Sequence, residues 1–137
     1  MTRSMFTVIA LVSLFCGCSM SADTALAEQA VPKFHEELDA GHFDAIYDAS
    51  ADELKSATTQ QEFVALLEAV HRKLGNTKAS DESGWNVNYQ TSGSFVTLGY
   101  KTTFDGGSAE EQFVFRLHDK AASLAGYHIS SNALILK

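Results

Sequence analysis

Residues 85–129 read WNVNYQTSGSFVTLGYKTTFDGGSAEEQFVFRLHDKAASLAGYHI, and this stretch decides the fold. It breaks into four apolar-alternating runs separated by three short turn signals, the pattern of an antiparallel meander. Thr91-Ser92-Gly93-Ser94 supplies a two-residue loop, Ser92-Gly93, in which Gly takes the positive φ a tight hairpin needs. That loop sets Tyr89 opposite Val96, Val87 opposite Leu98 and Trp85 opposite Tyr100. Asp105-Gly106-Gly107-Ser108 sets Tyr100 opposite Phe113, Leu98 opposite Phe115 and Val96 opposite Leu117. A turn near Lys120 to Ala122 sets Phe115 near Tyr127 and Leu117 near Ala125. Every pairing gathers apolar residues on one face, and a one-residue slip would scatter them.

The other face carries Asn86, Asn88, Thr97, Lys101, Thr103, Gln112, Arg116, His118 and His128, with Phe95 and Val114 as apolar exceptions. A sheet apolar on one side needs a cover, and the segments before it supply one. Pro32 suits the first turn of a helix, Val31, Phe34 and Leu38 lie at helical spacing, and Gly41 ends that helix. Phe43, Ile46 and Tyr47 form a short second face. Ser50-Ala51-Asp52-Glu53 and Thr59-Gln60-Gln61-Glu62 both have capping-box form. Phe63, Leu66, Leu67, Val70 and Leu74 make one stripe, closed by Gly75. Asn76 to Gly84 reads as a polar loop. The expected class is α+β: N-terminal helices packed on one face of a four-stranded antiparallel meander.

Length and composition bound the rest. The chain has 137 residues, enough for one domain, and its 45% hydrophobic content with one Pro favours a packed body. Met5 to Phe15 is apolar behind Arg3, too short to span a bilayer and suited to a signal-peptide core. Phe15-Cys16-Gly17-Cys18 then resembles the bacterial lipobox, with Phe15 where Leu is usual. The division is a lipoprotein signal peptide over 1–17, lipidation at Cys18, a tether over 18–29 and a single α+β domain over 30–137. Ser19 after Cys18 resembles the default signal for the outer membrane, placing the chain on its periplasmic side, held by acyl chains. The alternative is a plain secretory leader cut after Ala27, leaving a soluble periplasmic or secreted protein. With Cys18 acylated, no internal disulfide remains, so the core alone holds the fold.

Leu38-Asp39-Ala40-Gly41-His42-Phe43, Gln60-Gln61-Glu62-Phe63, Leu74-Gly75, Tyr100 to Phe104 and Ala125-Gly126-Tyr127 resemble an uncharacterised family of small exported bacterial proteins. That family belongs to the cystatin-like group, which shares its cone with the nuclear transport factor 2-like fold. The resemblance covers about residues 30–130, and His42 departs from the Asp usual there. It implies helices wrapped by a curved sheet and is nearly silent on activity.

Charge excludes some partners. The net charge is −7, and loss of the leader with Arg3 makes it one unit more negative. Nucleic acid is repelled by such a field, and a cationic protein is attracted. Glu36, Glu37, Asp39, Asp44 and Asp48 form the candidate acidic partner face, continued by Asp52 and Glu53. The bland reading of the same acids is a solvated helix face.

The chemistry-bearing residues point to no reaction. His35 and Asp39 share a helix face, but His42 lies beyond Gly41 and no Cys supports a ligand frame, so no metal or cofactor is expected. His128 faces away from the interior, and Glu111 is the sole carboxylate on the apolar face, beside a turn. No G-x-S-x-G occurs, and Gly106-Gly107 precedes a strand rather than a phosphate-binding helix. Trp85, Tyr100 and Tyr127 are the candidate pocket, with Tyr hydroxyls as polar handles; the plain alternative is core. The expected function is a non-enzymatic envelope binding or accessory domain, including an inhibitor or immunity protein for a basic partner. The alternative is a small-molecule-binding or isomerase-like enzyme using the cone. A homodimer through the open sheet face, at Phe95 and Val114, is a further expectation.

Overall fold

Thr59 starts the helix that the chain's capping chemistry marks most clearly. Its side chain accepts from the Glu62 backbone N–H while the Glu62 carboxylate takes the Thr59 N–H, a complete capping box. The helix runs Gln60–Leu74 and buries Phe63, Leu67, Val70 and Leu74; Leu66, expected in that stripe, is 40% exposed. Gly75 ends it at φ +75°, a conformation other residues avoid. Thr59→Ala removes one acceptor from the exposed helix start and is expected to cost about 1 kcal/mol, measured by chemical denaturation. The companion box at Ser50 does not form: Ala51 occupies the cap position, and the Ser50 hydroxyl donates to the Ile46 carbonyl at 2.7 Å.

The structure, a computed structural model, describes residues 19–136, with side chains from Ala22 onward. The expected leader over 1–17 and Cys18 lie outside the described residues. Helices come first: α1 (Ser19–Asp39), α2 (Phe43–Asp48), α3 (Asp52–Ala57) and α4 (Gln60–Leu74). Strands β1 (Thr77–Gln90), β2 (Gly93–Phe104), β3 (Gly107–His118) and β4 (Ala121–Ser130) follow in one antiparallel sheet of order β1-β2-β3-β4, then a short α5 (Asn132–Leu136). Among the described residues, no helix is long and apolar enough to cross a membrane.

The tether expected over 18–29 is corrected. Residues from Ser19 onward are the first turns of α1, and Pro32 lies inside that helix rather than at its start. Thr24, Ala27, Val31, Phe34, His35 and Leu38 are all buried, one continuous stripe across the sheet. Tertiary burial of that stripe outweighs the hydrogen bond lost at Pro32, whose ring is exposed on the opposite side.

The loop expected over Asn76–Gly84 is also corrected. It is the first half of β1, paired with β2 from Thr77↔Phe104 onward, with irregularities at Lys78 and Ser83. Its polarity reflects an edge strand that is exposed along most of its length, where charged side chains discourage strand addition.

The pairings hold the expected faces but slide by two residues. Trp85 lies opposite Leu98, Val87 opposite Val96 and Tyr89 opposite Ser94. Leu98 lies opposite Phe113, Val96 opposite Phe115 and Tyr100 opposite Glu111. The loops are therefore Thr91-Ser92 and Asp105-Gly106. A two-residue slide keeps every side chain on its face, so alternation cannot detect it. Docking on α4 sets the second loop. The Gly106 N–H donates to the Leu74 carbonyl at 2.7 Å, and a Cβ on Gly106 would sit 2.8 Å from the Lys73 carbonyl. On the last edge, Phe113 pairs with Tyr127, Phe115 with Leu124 and Leu117 with Ala122. Ala125 is the extra residue of a bulge, so Leu124 rather than Ala125 turns inward, 6% exposed.

The core lies between this sheet face and the helices. Val96, Leu98, Phe113 and Phe115 meet Val31, Phe34 and Leu38 of α1 and the buried stripe of α4. Arg116, on the other face, reaches back to donate to Glu53 of α3 and to the Ser92 carbonyl.

Candidate functional site

The two-residue slide between β2 and β3 has a chemical result. It moves Glu111 away from the turn and sets it opposite Tyr100, facing the helices. The side chain is fully buried. A carboxylate there is costly unless paired and hydrogen-bonded. Three donors meet it. The Thr102 hydroxyl donates to Oε2 at 2.5 Å, His35 Nε2 to the same oxygen at 2.8 Å, and the Tyr127 hydroxyl to Oε1 at 2.6 Å. Ser80 extends the chain, its Oγ lying 2.9 Å from Thr102 Oγ1.

Each donor is held by a different element. His35 belongs to the buried stripe of α1 and is 5% exposed, with the rings of Phe34, Phe104 and Phe113 set edge-on around it at 5.8, 6.3 and 5.8 Å. Thr102 is the inward residue after Tyr100 on β2, fully buried. Tyr127 comes from β4, opposite Phe113. The carboxylate thus ties α1 to β2, β3 and β4 at one point.

Burial, then the nearby Glu111 charge and its hydrogen bond, pushes the Tyr127 phenol well above its ordinary value of 10.0. Tyr100 is pushed up to about 12, by burial first and then by the charges of Glu82 and Glu28. A phenol whose folded pKa exceeds its unfolded value stabilises the fold below pH 10 and loses that contribution as pH rises. We therefore expect stability to fall from about pH 10 upward, with Tyr100 ionising near 12. Phenolate absorbance in an alkaline titration, followed alongside circular dichroism, checks this: Tyr100 should ionise near 12 and Tyr127 only as the fold is lost.

The expected pocket of Trp85, Tyr100 and Tyr127 is not one site. Trp85 stands 53% exposed on the edge strand β1, Tyr127 is committed to Glu111, and Tyr100 borders a cleft between α1 and β1. The acidic residues are likewise divided. Asp39 Oδ1 accepts from the Thr77 N–H at 2.9 Å and so joins α1 to β1. Glu37 accepts from His42 Nδ1 at 2.7 Å, and Asp44 from Gln60 at 2.8 Å. Glu36 borders the α1–β1 cleft, while Asp48 is exposed on α2. His128 is exposed on β4, opposite Gln112. Among the described residues, no three His, Cys, Asp or Glu side chains gather as metal ligands.

Sequence reasoning noticed His35 and Glu111 separately and did not join them. They are 76 positions apart, and the only sequence signal was a lone carboxylate on an apolar strand face.

The arrangement defines an α+β domain whose helix layer is pinned to a four-stranded meander by a buried histidine–carboxylate pair. The chain belongs to the family described as Protein of unknown function (DUF4019), whose family model matches residues 30–127. The search of curated proteins gave no match.

Proposed function

We propose that this chain is a cell-envelope lipoprotein with a cystatin-like, nuclear transport factor 2-like body that binds a basic protein partner and catalyses no reaction. The observation that carries the reading is the enclosure of Glu111. Its side chain is fully buried and accepts from His35, Thr102 and Tyr127, in an interior filled by Phe34, Leu98 and Phe113. A general base must lie within hydrogen-bond reach of a substrate proton, and this carboxylate presents no surface to a substrate. The partner reading is supported by Glu36, Asp44, Asp48 and Asp52, which are exposed and form no ion pair among the described residues. Anchoring is supported by the sequence around Cys18, and the sorting residue Ser19 favours the periplasmic side of the outer membrane.

Detergent extraction of the acylated protein, followed by affinity capture at low and high salt with mass spectrometry, tests the proposal. A basic envelope protein should be retained at low salt and released at high salt. Capture of no basic protein, or a Cys18→Ser variant that stays in the membrane fraction, would count against it. The isomerase-like reading keeps one observation in its favour, the buried His35–Glu111 pair. It requires Glu111→Gln to abolish turnover in a fold that survives the change. A homodimer through the outer sheet face rests on the half-buried Phe95 and Val114 there.

A further inference from the structure

Both ends of the Glu111 hydrogen-bond chain emerge in one place. A cleft of about 430 Å³ runs between α1 and the start of β1, bordered by His35, Glu36, Asp39, Ser80 and Tyr100. The buried carboxylate sets the polarity of everything attached to it. Thr102 spends its one hydroxyl proton on Glu111, so its oxygen must accept from Ser80. Ser80 then has only lone pairs left to offer the cleft. His35 donates from Nε2 to Glu111, and in the neutral ring Nδ1 is therefore an acceptor. The hydrogen bond that His35 makes runs through Nε2, and the residue borders the cleft.

Charge at the cleft has one sign left over. Glu36 is exposed and in no ion pair among the described residues. Asp39 holds Thr77 through one oxygen only. Lys78, at the rim, is engaged by Asp105 at 3.1 Å. Glu28 and Glu82 lie close enough to Tyr100 to act on its phenol. The cleft thus offers several acceptors and an excess of negative charge; its donors are the Tyr100 hydroxyl and, at the exposed rim, the Lys78 N–H groups that Asp105 does not take.

We propose that this cleft binds the primary ammonium group of a small amine, with Glu36 supplying the charge and His35 Nδ1 and Ser80 Oγ accepting its hydrogens. An ammonium has three donors in a compact head, which matches this set, and a guanidinium fork or a neutral alcohol does not. The site shares Glu36 with the basic-partner reading but does not rest on it, and either can fail alone: a captured protein without amine binding, or amine binding without a captured protein.

The test is an NMR titration of the purified protein with n-butylammonium chloride, against n-butanol at equal ionic strength. Saturable shifts should appear at His35, Glu36, Ser80 and Thr102 with the amine and not with the alcohol. Glu36→Gln and Ser80→Ala, both outside the core, should each weaken binding by about tenfold, the scale of one charge-assisted hydrogen bond. Glu68→Gln, which removes an equal charge on the exposed side of α4, should leave affinity unchanged. Equal shifts with butanol, wild-type affinity in both cleft variants, or an equal loss in Glu68→Gln would each overturn the proposal.

Discussion

Glu111→Ala is expected to cost about 3–5 kcal/mol of folding stability, the scale of a buried charge pair broken from one side. The substitution strands the His35 Nε2–H and the Thr102 and Tyr127 hydroxyls together, in an interior where Thr102 and the Glu111 side chain have no exposure at all. Each buried unsatisfied group carries a penalty of about 1–3 kcal/mol, and the three are not additive because they share one acceptor. Glu111→Gln keeps the volume and one carbonyl oxygen but turns an NH₂ toward a donor, so its loss is expected to be smaller, about 2 kcal/mol. Urea denaturation of the three proteins checks the order. A loss below about 1 kcal/mol for the Ala variant would mean that water reaches the site and relieves the stranded donors.

Phe113→Ala is expected to cost as much, about 3–5 kcal/mol, by a different route. Phe113 is fully buried. Its ring lies 5.1 Å from Phe34, 5.9 Å from Tyr100, 6.0 Å from Phe115 and 5.2 Å from Tyr127. It also closes one side of the cage around His35. Truncation therefore opens a cavity at the seam between α1 and the sheet and loosens the ring that faces Glu111. Measured against a typical total of about 5–15 kcal/mol, the loss runs from about a fifth of the stability to all of it. Hydrogen exchange should speed up in α1 and β3 before α4. Equal acceleration in all three would mean that the seam is not a separate unit of the core.

The two substitutions separate what each kind of reasoning could reach. Phe113 was legible as core from the chain alone, because alternation in β3 puts it on the apolar side whichever even register holds. Glu111 was legible as an inward carboxylate for the same reason. Its neighbours were not. A slide of two residues leaves parity intact while changing every partner, and it is this slide that carries Glu111 from beside the turn to a place opposite Tyr100. What selects the slide is the seating of Gly106 on the carbonyls that end α4, a contact between residues about thirty positions apart. The same limit applies to Asp39. Its sequence neighbours marked it as one acid among several, whereas β1 makes it the acceptor for Thr77.

By itself the chain's pattern of apolar and polar residues determined the order of helices before a four-stranded meander, the buried faces of β2 and β3 and the helix start at Thr59, because these follow from local periodicity and local hydrogen bonding. Only the tertiary structure decided that residues 19–29 are helix, that residues 77–84 are strand, and that His35 meets Glu111. Those outcomes depend on which surfaces are available to bury and which donors lie across the seam. A short window of sequence contains neither.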